Sequence, residues 1–407
     1  DACTDAINAD PDYPEAWQER GSRHAAAGKP EAGVADLTRA IGLAPDLALA
    51  RLQRARLYER ELSDLSSALA DYREVMRLAP RETDAFVAAG RILAARSMFG
   101  EAIEMLSEAI RLAPTAPNFA ARAQARLDAG RLQEARLDFS EALTRDPNDA
   151  EAHCGLGTVA RLLGDPQAAE REHHLAVERY GREGRYHFEL GEDRVAQKDL
   201  EGAIPHYRQA IALRPDLAKA YARLGRLYLA LGRPEEAAPY ASVAMVRNPK
   251  DADAHLDLGR ALSAQGHDDL AIHFFDRAIE IDPRDGDAYL HRGRTLARLD
   301  RRKEAIEDFG TAIAKDRLCV QAYLSRARAH AEEGQWQEAL ADTSAAEGLS
   351  PDLVDVQVTR GVVHVKWEKW AEAIEDFNRA LSKDPSCREA LVEQARAFAL
   401  RGDPKAA

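Results

Sequence analysis

Apolar and polar residues follow one another along this chain with a helical period that stops and restarts at regular places. The stretch from Ala252 to Pro283, ADAHLDLGRALSAQGHDDLAIHFFDRAIEIDP, shows the unit. Its spacing predicts two amphipathic helices on either side of a turn at Gly266, closed by a proline. Small residues (Gly259, Ala271, Ala278) stand where the two helices must touch. Large ones (Leu258, Leu262, Phe275, Ile279) fill the spaces between.

The same unit recurs from end to end. Prolines close successive copies at Pro11, Pro45, Pro80, Pro114, Pro147, Pro215, Pro249, Pro283, Pro351 and Pro385, with Gly181 and Arg317 where a proline is missing. The steps are 34, 35, 34 and 33 residues, then 34 throughout, the length of two helices of about 14 residues and two short turns. Numbering each copy so that Ala252 is position 1, position 8 is always Gly or Ala (Gly21, Ala55, Gly90 and so on to Ala395), and so is position 20 (Gly33 to Ala407). Glycine inside a helix costs about 1 kcal/mol relative to alanine. Its recurrence at one register predicts close approach of two helices there. Position 24 is mostly bulky, as at Leu37, Tyr72, Leu106, Phe139, Tyr207, Phe275, Phe309 and Phe377, and position 4 is often aromatic. Gly28, Gly130, Gly164, Gly232, Gly266, Gly334 and Gly402 break the first helix. Pro30, Pro166, Pro234 and Pro404 open the second, where a missing N–H costs nothing. Pro205 and Pro239 are expected to shorten or bend the first turns of their helices.

This register, small at 8, Ala at 20, bulky at 24, Ala at 27 and Pro at 32, resembles the tetratricopeptide repeat (TPR) family, and the likeness covers essentially the whole chain. The resemblance implies an all-α fold: a right-handed superhelical solenoid of antiparallel helix pairs whose first helices line a concave groove. It implies a protein-interaction role. The expected organisation is a single solenoid over 1–407: the second half of a preceding repeat at 1–13, eleven repeats over 14–387, and the start of a twelfth at 388–407. The chain thus reads as a fragment of a longer protein. The turn at 180–185, with two glycines and no proline, is either a tolerated variant or a hinge.

Composition narrows the function classes. The formal charge of −13 argues against general attraction to nucleic acid or to an anionic membrane. No apolar run approaches the roughly 18 residues that a membrane span needs, and no signal pattern opens the chain, so a cytoplasmic protein is expected. Of the 56 basic residues only ten are Lys. With abundant Ala and Leu, this bias reads as a bacterial gene of high GC content. Cys3, Cys154, Cys319 and Cys387 have no disulfide or metal spacing and read as reduced fillers. No phosphate loop, nucleophile motif or metal-ligand spacing is present. No enzyme activity, cofactor or metal is therefore expected. The one tight histidine pair, His173-His174, places His173 at a core position, and acid pairs such as Glu332-Glu333 read as solvated faces.

The groove positions of the family carry more information. The resemblance implies ligand contacts from positions 2, 5, 9, 12 and 13. Position 9 supplies Arg226, Arg260, Arg294 and Arg328 at 34-residue spacing, and more distantly Arg56, Arg91 and Arg396. Position 5 supplies Leu256, Leu290 and Leu324. Positions 5 and 9 are neighbours on one helical face, which predicts an arginine row beside an aliphatic row, suited to an extended segment carrying carboxylates or phosphates between apolar side chains. The competing reading is that the arginines are paired to acids on neighbouring helices. Lys219 and Arg223 match part of the carboxylate clamp of chaperone-binding members, whereas Cys154, Thr158 and Glu189 do not, and position 6 lacks the asparagine ladder of other members. The leading expectation is a protein-interaction scaffold with a protein or peptide ligand in the groove, and with self-association through repeat edges open to it. The alternative is the regulatory or substrate-recruiting arm of a larger enzyme, a kinase or glycosyltransferase, with its catalytic domain elsewhere. RNA binding fits poorly with the charge and with the absence of alternating aromatic and basic groove residues.

Overall fold

The computed structural model describes residues 2–402, and among these every regular element is an α-helix, twenty-four in all. Between Ala2–Ala9 and Arg388–Arg401 lie eleven pairs, each a first helix of 13 residues and a second of 14. The chain divides into two compact units, Asp1–Leu213 and Arg214–Ala407. That boundary lies between a second helix and the following first helix, one repeat beyond the irregular turn at 180–185.

Backbone chemistry sets the turn inside each pair. Position 15 is left-handed in all twelve copies: seven glycines, and Ser63, Ser97, Lys198, Asp300 and Glu368 where glycine is missing. At Gly266 the His267 N–H donates to the Leu262 carbonyl at 2.9 Å and the Gly266 N–H to the Ser263 carbonyl at 3.2 Å. This is the paired bonding of a helix end that a left-handed residue allows. The three residues 265–267 then return the chain along the first helix.

The turns between pairs have their own device. Asp251 and Asp285 cap the following helices by accepting from the Asp253 and Asp287 N–H groups at 3.1 and 2.9 Å. The irregular turn at 180–185 keeps this pattern. Glu183 caps in place of aspartate, its N–H donates to the Tyr180 carbonyl at 3.2 Å, and neither Gly181 nor Gly184 takes a positive φ. Pro205 and Pro239 do not shorten their helices. Both lie within full 14-residue helices, at the sixth residue, where the lost N–H bond is one among many.

The core repeats with the sequence. Where position 8 is glycine, the position-24 residue of the same repeat rests on its bare backbone. A Cβ added at Gly259 would come within 2.6 Å of the Phe275 ring, and one at Gly361 within 2.6 Å of Phe377. Leu37, Leu106, Phe275 and Phe377 are fully buried there. Each such side chain contributes roughly 1.5–3 kcal/mol by burial. Position 4 ties the first helix to the turn before it. Trp17 Nε1 donates to the Pro11 carbonyl at 2.8 Å, and His153 and His255 place Nε2 3.1 Å from the Pro147 and Pro249 carbonyls.

Candidate partner-binding site

Two arginine rows run along the first helices, two residues apart in register. The row at position 7 is built into the repeat. Arg20, Arg54, Arg122, Arg292 and Arg326 each hold the position-23 aspartate of the second helix (Asp36, Asp71, Asp138, Asp308, Asp342) with two parallel bonds of 2.6–2.8 Å. Arg360 reaches Asp376 at 2.9 Å, whose other oxygen lies 2.8 Å from His364 Nδ1. The six aspartates are only 4–6% exposed, so a bidentate partner is what makes their burial tolerable. Several of these arginines also grip the preceding repeat, Arg122 at Ser107 (3.1 Å) and Arg292 at Asp276 (2.6 Å).

At position 9, Arg226 and Arg294 reach instead to positions 2 and 6 of the next repeat. In the second unit Arg226 donates to Asp253 at 3.0 Å and to Asp257 at 2.9 Å. Burial works against the Arg226 charge, but the two acids more than offset it and its pKa is raised. Asp257 is itself almost fully buried, and burial holds its carboxyl above the ordinary range despite Arg226 and Arg260. Arg260 contacts Asp257 more loosely, at 3.3 Å. Ahead of it lies His291, stacked near Phe275 and pushed down to about 3 by burial and by the charges of Arg260 and Arg294, hence neutral. Arg294 reaches the same two positions as Arg226 and finds no acid: Nε donates to Ser325 Oγ at 3.2 Å and Nη2 to Gln321 Oε1 at 2.8 Å. Burial and the nearby Arg328 lower its pKa, opposite to Arg226. Arg328 donates to Thr359 Oγ1 at 3.3 Å and to Glu389 at 2.9 Å, an ion pair in which both side chains are nearly half exposed.

Around these last two arginines the face opens into a cleft of about 550 Å³. Its cations are Arg294, Arg298, Arg302 and Arg328, and its acids Glu332, Asp355 and Glu389. Glu332 is taken by Lys366 at 2.8 Å and Glu389 by Arg328. Arg298 and Arg302 pair with Asp268 and Asp300. Arg294 alone of the four has no carboxylate within ion-pair distance among the described residues.

The expected aliphatic row is corrected by the structure. Leu256, Leu290 and Leu324 are only 6%, 5% and 4% exposed and pack into the cores between helices. Stacking of the next repeat covers position 5, which a single-helix projection leaves open; Leu324 contributes to the floor of the cleft. Lys219 and Arg223 stand exposed at the start of the second unit. In the first unit Arg56 pairs with Asp84 at 2.6 Å, and a different cleft of about 640 Å³ is paved by Ala94, Ala95, Ala120 and Ala121 with Arg91 on its rim.

Comparison with known proteins agrees with this register. A family model described as "Tetratricopeptide repeat" matches residues 52–117, 120–184, 223–286, 290–353 and 358–407, and one described as "TPR repeat" matches 191–232. The chain belongs to the tetratricopeptide repeat family. Among curated relatives, it is 36% identical over 90 residues to the TPR repeat-containing thioredoxin TTL4 of Arabidopsis thaliana, covering 22% of this chain and 13% of that protein. It is 34% identical over 93 residues to DnaJ homolog subfamily C member 3 of Rattus norvegicus, covering 23% of this chain and 18% of that one. The match thus spans less than a fifth of either relative. Among solved structures, one of the APC/C hetero-tetramer Cut9-Hcn1 aligns over 97% of this chain and 92% of that one, with a TM-score of 0.53 and 13% identity, a likeness of fold. Membership in the TPR family supports a protein-interaction scaffold. No helix among the described residues is long and apolar enough to cross a membrane.

The position-7 pairs of this TPR chain went unnoticed in the sequence, although Arg and Asp 16 residues apart (17 at Arg54 and Asp71) recur in six repeats. His173 fills its position-24 slot completely buried, with Nδ1 2.6 Å from Asp193 and Nε2 3.1 Å from the Cys154 carbonyl, and it lies against Gly157. His174 is exposed. All four cysteines are free thiols, and burial pushes Cys154 up to about 12, leaving it inert.

Proposed function

We propose that this chain is a protein-interaction scaffold that receives an extended, acidic segment of a partner along the first-helix face of its second unit. The observation that carries this reading is the change of partners along the position-9 row. Arg226 is answered by two acids from its own chain, while Arg260 keeps only a looser contact to Asp257 at 3.3 Å, Arg294 meets a hydroxyl and an amide, and Arg328 an exposed carboxylate. An exposed ion pair is worth little, about 0–1 kcal/mol, and is readily exchanged for a ligand's carboxylate. Arginine's planar fork suits bidentate recognition of such groups.

The test is capture of partners from a lysate by the wild type and by the triple variant Arg260→Glu, Arg294→Glu, Arg328→Glu, with circular dichroism as the check on folding. Arg226 is left intact because it makes the closer bond to the buried Asp257, at 2.9 Å against 3.3 Å from Arg260. Loss of a salt-sensitive partner in the variant supports the reading. Equal capture by both proteins removes this face from consideration.

A further inference from the structure

We propose that the cleft between Arg294 and Arg328 is an oxyanion site that seats a carboxylate or phosphorylated side chain of the partner segment, with Arg294 as its anchor. The proposal rests on the reading of this face as a partner surface and narrows it to one place. Arg226 and Arg294 occupy the same position two repeats apart and direct their guanidinium groups at the same two positions of the next repeat. At Arg226 those positions are Asp257 and Asp253, and the guanidinium's charge is satisfied from within. At Arg294 they are Ser325 and Gln321, neutral groups that hold the fork in place without an ion pair, Asp287 acting on its charge only from a distance. A half-buried cation without a directly bonded carboxylate carries a desolvation cost that a bound anion would relieve. The open cleft of about 550 Å³ gives such an anion room. Arg328 stands beside it on an ion pair with Glu389 that is nearly half exposed on both sides, and the Thr359 hydroxyl lies within reach of Arg328. Asp355, exposed on the cleft wall, offers Arg328 an alternative carboxylate when an incoming anion takes its place.

The chain itself supplies the decoy. The double variant Ser325→Asp, Gln321→Asp copies the surroundings of Arg226 onto Arg294 and should close the site. The converse variant, Asp257→Ser, Asp253→Gln, should open a second one at Arg226. The probes are fluorescein-labelled octapeptides read by anisotropy at low and physiological salt: alternating Ser-Glu, alternating Ser-Gln, and Ser-Gln with one phosphoserine. The wild type should bind the Ser-Glu peptide, more weakly as salt rises, and the closing variant should bind it about tenfold or more weakly. The Ser-Gln peptide should not bind. Binding of the phosphoserine peptide but not of Ser-Glu assigns the site to phosphorylated segments, and binding of both assigns it to either oxyanion.

The proposal is overturned if the wild type binds no acidic peptide, if Ser-Gln binds as well as Ser-Glu, or if the closing variant, with an unchanged helical spectrum, binds like wild type. Should the closing variant misfold, the opening variant decides: a gain in Ser-Glu affinity or stoichiometry supports the account, and no gain sinks it. Failure here is separable from failure of the scaffold reading. Partner capture that survives the charge reversals while the peptides still discriminate leaves the anion site standing alone. Capture that is lost while the peptides do not discriminate leaves a partner face without this anchor.

Discussion

Arg292 and Arg294 lie two residues apart on one helix, in one stretch of sequence, and lead opposite lives. Arg292 is held on three sides, by both oxygens of Asp308 at 2.8 and 2.6 Å and by Asp276 at 2.6 Å. Its hydrogen bonds to Asp308 raise its pKa well beyond the ordinary value. Arg294 touches a hydroxyl and an amide, and burial with a neighbouring arginine lowers its pKa. The residue type is the same and the period is the same. What differs is the partner: an acid stands 16 residues downstream of Arg292, and neutral residues stand 27 and 31 downstream of Arg294. An arginine row along a helical array is thus either a rivet or a hand, and the partner position decides which.

The contrast can be attacked first at the rivets. Asp308→Ala leaves Arg292 held by Asp276 alone, beside the cavity of a buried carboxylate, and should cost about 2–4 kcal/mol of stability in urea denaturation. An unchanged midpoint would mean that the position-7 pairs add nothing. Arg226 comes next, as a member of the outer row that has acquired acids. Arg226→Gln should cost about 1–2 kcal/mol at neutral pH. Its pH dependence has a definite sign. Burial already holds the Asp257 carboxyl high, and Arg226 is the group pulling it down most. Removing that arginine raises the folded-state pKa further, so the variant's deficit should shrink as pH falls through that raised range, where Asp257 becomes neutral. A deficit that grows in acid contradicts the assignment.

The smallest stability effect belongs to the open arginine. Arg294→Gln should change stability by less than about 0.5 kcal/mol, yet it should be visible to its neighbour. His291 is pushed down to about 3 partly by Arg260 and Arg294. Its stability contribution is therefore complete above the unfolded pKa of about 6.5 and is lost as pH falls below it. Arg294→Gln should move the His291 Hε1 titration in NMR upward and soften that loss. No movement would place Arg294 away from the ring.

Much of the fold was legible because the packing rule repeats. Gly at position 8 opposite a ring at position 24 can be counted along the chain, and the structure seats Phe275 on Gly259 and Phe377 on Gly361 as that count requires. The face was less legible. The position-9 arginines were found by period alone, but period says nothing of charge balance across repeats. That needs the residues 27 and 31 places ahead, which are acids for Arg226 and neutral for Arg294. Leu256, Leu290 and Leu324 misled for a related reason. A helical projection shows which residues share a face, and stacking of the next repeat decides how much of that face stays open. The rivets were readable in principle, since Arg and Asp at one fixed register, 16 residues apart in five repeats and 17 in the sixth, is a pair that a hairpin of helices brings together.

The most direct test sets Arg292→Gln against Arg294→Gln in the same protein, each measured for urea stability and for binding of the labelled Ser-Glu octapeptide. Arg292→Gln should lose stability and keep binding, and Arg294→Gln should keep stability and lose binding. If both variants lose stability alone, or both lose binding alone, the two rows are one and the division between rivet and hand is wrong.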